Sequence, residues 1–267
     1  NMLPAGLDSV NRYLQVQLDG LSKILVLFTT VFATLITLYS IVYQKKHRDL
    51  KHYYACVLVT LGCTTGALVA DHLVLLLTFW GILGITLYKL VNGNEEERAS
   101  VAKKTLILIG ASDSLMILGV ALIWLRTNTM FMSEIHLAPG SATGTIAFLC
   151  LLAGCFTKAG AFPFHTWMPE YTKAAPASSS AYLPASLDKI LGIYLLARLC
   201  IDMFTLNEGL KITMIALGAC SILVGGFMAL VQADYKKMLG YSAVSQVGYM
   251  LVGLGLCTPI GIAGAVF

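Results

Sequence analysis

The chain has 267 residues, 57% of them hydrophobic and only 12% charged, with a net charge of +4. An ordinary soluble domain is about 25% charged, so the composition excludes a soluble globular protein. The modest positive charge, gathered at the ends of apolar segments, excludes a nucleic-acid binder. Seven cysteines lie scattered in apolar stretches without a C-x-x-C pair; they read as small buried hydrophobes, not as a metal site or a disulfide framework. P-loop, G-x-G-x-x-G, H-E-x-x-H and G-x-S-x-G patterns are lacking, so the chain is expected to have no active site and no cofactor of its own. The apolar stretches recur along the whole length and do not form a cleavable leader. An Asn1-Met2 start and an apolar ending at Ala265-Val266-Phe267 read as a piece of a longer protein.

A helix needs about 20 apolar residues to cross a bilayer. Eight stretches meet that length, which predicts an all-α polytopic bundle: 24–43, 53–70, 72–88, 105–125, 145–164, 178–197, 212–233 and 238–258. Only Asp71 separates the second from the third, and only Asp234-Tyr235-Lys236-Lys237 the seventh from the eighth. Links this short predict antiparallel neighbours. If every stretch crosses, one side carries Lys45, Lys46, Arg48, Lys51, Lys89, Arg98, Lys103, Lys104, Lys173, Lys236 and Lys237, and the other only Arg12, Lys23, Arg126, Arg198 and Lys211. Positive charge favours the cytoplasm. The bias therefore predicts an outside N-terminus and a cytoplasmic loop at "HTWMPEYTK".

Charges inside spans cost several kcal/mol and mark pathways when they face a bundle interior. Asp113 lies in the fourth span between Ser112 and Ser114; it is either a polar contact or a partner for a buried lysine. Lys158 lies in the fifth. It could snorkel towards an interface, but Gly154, Gly160 and Pro163 around it favour a broken helix whose freed backbone is satisfied by water or neighbours. His165 and Glu170 follow at the mouth of that break, where a histidine could pass protons or serve equally as a belt residue beside Trp167. Asp188 and Lys189 sit in the middle of the sixth span, about 15 Å from either end, beyond the reach of snorkelling. Side chains of adjacent helix residues point about 100° apart, so the two serve either packing through neighbouring helices or a proton relay, the reading preferred here.

Three stretches, "FTKAGAFPFHTWMPEYTKAAP", "LDKILGIYLLARL" and "ALVQADYKKMLGYSAVSQVGYMLVGLG", resemble the antiporter-like subunits of respiratory complex I, of Mrp-type cation/proton antiporters and of membrane-bound energy-converting hydrogenases. The resemblance covers essentially the whole chain and implies the third to tenth helices of a longer subunit. It implies a multi-pass protein of the bacterial or archaeal cell membrane that translocates protons or sodium within a larger complex, with other membrane subunits and a peripheral redox module as partners. The alternatives are a stand-alone antiporter and a non-pumping structural subunit. It also implies an N-terminal segment over 1–52, a first five-helix repeat over 53–198 and the start of a second repeat over 199–267. By the same resemblance Lys158 matches the lysine of the broken helix and Lys189 that of the next helix. Two departures stand out. The family places a glutamate after the third-span tryptophan to pair with the broken-helix lysine, and this chain has Trp80-Gly81; Asp188 or Asp113 must then take over, or the copy does not pump. The run "AYLPASLDK" lacks the histidine many relatives carry near Pro184, which leans towards hydrogenase or other specialised branches. The mechanism implied is a switch of the Lys158 charge by a neighbouring carboxylate, sending a proton towards Lys189.

Overall fold

A computed structural model describes residues 16–44, 50–91, 95–138 and 142–266. Arg12, Lys45, Lys46 and Arg48, part of the charge tally above, lie outside the described residues. The helices are α1 (Gly20–Tyr43), α2 (Leu50–Val69), α3 (Leu73–Val91), α4 (Glu96–Thr127), α5 (Ala142–Ala159), α6 (Trp167–Ala174), α7 (Ala177–Tyr182), α8 (Asp188–Arg198), α9 (Glu208–Leu230), α10 (Tyr235–Gly255) and α11 (Pro259–Val266). Six of these, α1 to α5 and α9, are long and apolar enough to cross a membrane. The other two predicted spans take different forms. The sixth is a succession of α7, a π-helical turn at Leu183–Leu187, α8 and a second π-helical turn at Leu199–Met203. Pro184 lies in the first of these turns, where its missing N–H breaks the ordinary i to i−4 pattern. The eighth, α10, has 21 residues, but Lys236, Lys237, Ser242, Ser245 and Gln246 dilute its apolar character.

α4 is the longest helix, with 32 residues. At 1.5 Å per residue it is about 48 Å long, beyond the hydrocarbon core of about 30 Å. Its first turns, carrying Glu96, Glu97, Arg98, Lys103 and Lys104, therefore lie outside the apolar layer.

Ion pairs and loop contacts gather the charged segments at two ends. At one end Lys173 pairs with Glu97 at 2.8 Å, Glu170 lies 3.7 Å from Lys104 and 4.0 Å from Lys237, and the Lys236 ammonium donates to the carbonyls of Lys173 and Ala175. At the other, isolated bridges join Val16 to Ala70, His72 to Phe131 and Leu137 to Phe204. Asp71, the single residue predicted to separate two spans, is buried there; its carboxylate accepts from the Ser133 N–H at 3.0 Å and the Ser133 hydroxyl at 2.6 Å. The core between the two ends is apolar, with Trp80, Phe148, Phe156, Tyr171 and Tyr194 among its largest fully buried side chains.

Candidate ion-translocation site

α5 stops in the interior at Ala159. Gly160 follows with φ +78°, its N–H donating to the Thr157 carbonyl at 3.2 Å, while the Ala161 N–H reaches the Phe156 carbonyl at 2.8 Å. These two bonds are the Schellman ending of a helix, which a left-handed glycine permits. The prediction that Pro163 breaks the helix is thus corrected: Gly160 ends it three residues earlier, and Pro163 lies in the unwound stretch before α6. That stretch is tied down by neighbours. The Trp167 indole N–H donates to the Thr157 carbonyl at 2.8 Å, and the Phe162 N–H donates to the Ser221 hydroxyl at 3.0 Å.

Lys158 is the penultimate residue of α5, at the helix end whose carbonyls favour a cation. It is 1% exposed. Its Nζ lies 3.4 Å from Oδ1 of Asp188, which is fully buried at the start of α8. α8 can come this close because Gly192, one turn along it, lies against α5; a Cβ there would meet the Ala159 nitrogen at 2.8 Å and the Cys155 carbonyl oxygen at 2.9 Å. At 3.4 Å the Coulomb attraction is about 5 kcal/mol at an effective dielectric near 20. Neither Lys158 Nζ nor either Asp188 oxygen reaches hydrogen-bond geometry with any described residue. A buried ion pair without supporting hydrogen bonds offsets its desolvation poorly, so it is a weak contributor to stability.

The remaining predicted residues take distinct places. The face of the Trp80 ring lies 5.5 Å from Lys158 Nζ, and its indole N–H donates to Asp113 Oδ1 at 2.9 Å. Asp113 is half-buried at the Nε1 edge of Trp80 and, among the described residues, forms no ion pair with Lys158. Lys189 does not join the pair. It faces a cavity of about 50 Å3 lined by Leu21, Leu25, Ile193, Tyr194 and Met250, so α8 presents Asp188 to α5 and Lys189 to α1 and α10. His165 packs against Phe162 with ring centroids 5.7 Å apart, and its Nδ1 is buried without a partner among the described residues. Glu170 belongs to the charged end described above. Gly81 is exposed, and a Cβ there would meet nothing within 4 Å. A side chain at 81 would therefore leave α3 into open space, whereas Trp80 beside it is fully buried.

A second polar cluster carries no motif of its own in the sequence. Arg198 is 6% exposed and donates through Nη1 to Asp19 at 2.7 Å and to Asp202 at 2.8 Å. Nε reaches the Tyr194 hydroxyl at 3.2 Å, and Nη2 the Ser22 hydroxyl at 3.1 Å. The spacing of Tyr194, Arg198 and Asp202, four residues apart on one helix face, is the signal that could have revealed it.

Comparison with known proteins agrees with this architecture. A family profile described as NADH:quinone oxidoreductase/Mrp antiporter, TM, matches residues 70–267. The A subunit of the Na(+)/H(+) antiporter of Alkalihalophilus pseudofirmus is 32% identical over 245 residues, covering 89% of this chain and 30% of the relative. The A1 subunit of the Na(+)/H(+) antiporter of Staphylococcus haemolyticus is 30% identical, covering 90% of this chain and 30% of the relative. The chain thus spans under a third of these relatives' length. Among solved structures, a chain of the Mrp complex from a Dietzia species superposes with a TM-score of 0.87 at 26% identity, covering 93% of this chain and 28% of that one. A chain of respiratory complex I from Thermus thermophilus has a TM-score of 0.76 at 23% identity, covering 93% and 55%. A chain of the archaeal membrane-bound sulfane sulfur reductase has a TM-score of 0.81 at 24% identity, covering 88% and 49%. The last two likenesses concern the fold. With its apolar helices and these prokaryotic relatives, the protein is a multi-pass integral membrane protein of the bacterial or archaeal cell membrane. The match over 70–267 establishes that the chain belongs to the NADH:quinone oxidoreductase/Mrp antiporter transmembrane family.

Proposed function

We propose that this chain is the ion-translocating module of one subunit in a larger membrane complex, moving protons or sodium through a mid-membrane lysine and carboxylate relay. The observation that carries the reading is the Lys158–Asp188 pair, 3.4 Å apart and sealed at a helix break. An arrangement that contributes so little to stability is retained for what it does, and intramembrane ionisable groups mark ion pathways. In this reading Asp188 takes the place of the glutamate the family carries at position 81. Lys158 holds its proton while Asp188 is near and releases it when the pair opens; Lys189, on the other face of α8, receives it for the second repeat. His165, at the mouth of the break, exchanges protons with the charged end. The relatives named as parts of Na(+)/H(+) antiporters support cation exchange, and the respiratory neighbours support a peripheral redox module as the driving partner. These matches draw on several branches of the family.

A second reading, a non-pumping structural component of a membrane arm, draws on the glycine at position 81. Ion-gradient formation by inverted membrane vesicles holding the full-length protein in its complex separates the two. Lys158→Ala and Asp188→Asn are each expected to lower translocation per turnover at least tenfold, about 1.4 kcal/mol or more of barrier, with assembly retained. Unchanged translocation in both variants identifies the structural component.

A further inference from the structure

We infer that Trp80 is a positioning residue that holds Asp113 as a second counter-ion for Lys158. The inference rests on Lys158 being the translocating group. Trp80 is fully buried and contacts both charged groups in different ways. The ring face lies 5.5 Å from Lys158 Nζ, within the range where an aromatic quadrupole attracts an ammonium. The indole N–H, which can only donate, is committed to Asp113 Oδ1 at 2.9 Å.

That bond fixes the Asp113 carboxylate against α3, beside Trp80 and 4.0 Å from the place a Cβ would take on Gly84. Lys158 therefore has Asp188 in direct contact and, bound at the edge of the indole whose face it meets, Asp113 as a second carboxylate. Its Nζ has no hydrogen bond committed to any described residue, so no such bond must break for it to turn from one carboxylate to the other. α3 thus presents a carboxylate to Lys158 although position 81 is glycine, with α4 supplying the acid and Trp80 the hold. One ring serves both stations. Its face holds the ammonium, and its N–H keeps the second carboxylate oriented for when the first withdraws.

The test uses the full-length protein in its complex, with translocation per turnover measured in inverted vesicles. Trp80→Phe keeps an aromatic face and removes the N–H. It is expected to lower translocation at least about tenfold, the equivalent of one hydrogen bond to a charged group, and Asp113→Asn to do the same. The double variant should be no worse than Asp113→Asn alone, because the N–H acts through Asp113. In infrared difference spectra, the carboxyl band that disappears in Asp113→Asn should be displaced in Trp80→Phe, which a merely structural tryptophan would not cause. Wild-type translocation with an undisplaced band in Trp80→Phe, or additive losses in the double variant, overturns the inference. If Trp80→Phe fails to assemble, the nearly isosteric Asp113→Asn decides, and normal translocation in it overturns the inference. Lys158→Ala, run alongside, separates the two levels. Normal translocation there removes the proposed function itself, whereas loss there with silent Trp80 and Asp113 variants removes only the role given to Trp80.

Discussion

At the scale of single residues, the opposed demands of stability and function meet in Lys158 and Asp188. Removing one partner leaves an uncompensated buried charge, which costs about 3 to 5 kcal/mol, whereas replacing both by apolar groups of similar volume is often neutral or stabilising. Lys158→Met is therefore expected to lower the thermal midpoint of the assembled complex, and Lys158→Met with Asp188→Leu to restore it while translocation stays lost. Scanning fluorimetry alongside vesicle assays checks this; recovery of stability together with translocation would refute the relay. The four intramembrane charges were legible in the sequence because ionisable residues within apolar runs are rare. Their pairing was not, because it depends on helix rotation, which packing sets. Gly81 shows the limit most clearly: the sequence marks a missing glutamate, but only the fold shows that position 81 is exposed while Trp80 is buried with its ring against Lys158. Trp80 itself gave no signal, since a tryptophan in an apolar run reads equally well as core or belt.

At the scale of elements, the eight helical stretches followed from hydropathy and length, with bounds within a few residues except at the charged start of α4, the early end of α5 at Ala159 and the run of the sixth stretch on to Met203. The subdivision of the sixth span did not follow, because a π turn arises from competition among neighbouring hydrogen bonds that no residue pattern announces; Pro184 was the one local sign. The break after Lys158 offered two visible stoppers, Gly160 and Pro163, and the one nearer in the chain acts first. Close approach of α8 to α5 brings Asp188 to Lys158, and Gly192 is what permits it. Gly192→Ala places a methyl against backbone atoms of Ala159 and Cys155, which cannot yield as a side-chain tip can. It is expected to cost about 1 to 3 kcal/mol in stability and to reduce translocation by separating the pair. Gly62→Ala on α2, where a Cβ meets nothing within 4 Å, serves as the control: it should leave translocation unchanged and stability no lower, since alanine favours a helix interior over glycine. Equal stability losses without any effect of Gly192→Ala on translocation would show that the pair tolerates a wider gap.

At the scale of the whole molecule, the charged groups are divided between two ends, and α1, which Gln44 ties to Ser178 at its last turn, is held by an arginine at its first. Asp19, the N-cap of α1, accepts the Ser22 N–H at 2.9 Å and the Arg198 guanidinium at 2.7 Å. Arg198 also binds Ser22, whose hydroxyl donates to the Leu68 carbonyl at 2.7 Å, so one arginine joins α1, α2 and α8. Burial alone would raise the Asp19 carboxyl, but the Arg198 and Ser22 hydrogen bonds, together with the Arg198 charge, hold it below its ordinary 3.8. A carboxyl that is more acidic folded than unfolded stabilises the fold above the unfolded value and loses that contribution as pH falls through the folded one. Attachment of α1 should therefore be independent of pH near neutrality and weaken as pH falls below 3.8. The side chain of Asp19 is 35% exposed, so solvent screening keeps the effect small. Hydrogen exchange of the first amides of α1, measured down to acid pH in the intact complex, should show faster exchange only in that acid window. Asp19→Asn should exchange faster throughout and lose that part of the pH dependence, because amide and guanidinium do not titrate there. If wild type and Asp19→Asn show the same acid dependence, the ion pair does not hold α1, and its attachment rests on the apolar packing of Leu21 and Leu25 around the Lys189 cavity and on the uncharged hydrogen bonds of Ser22 and Gln44.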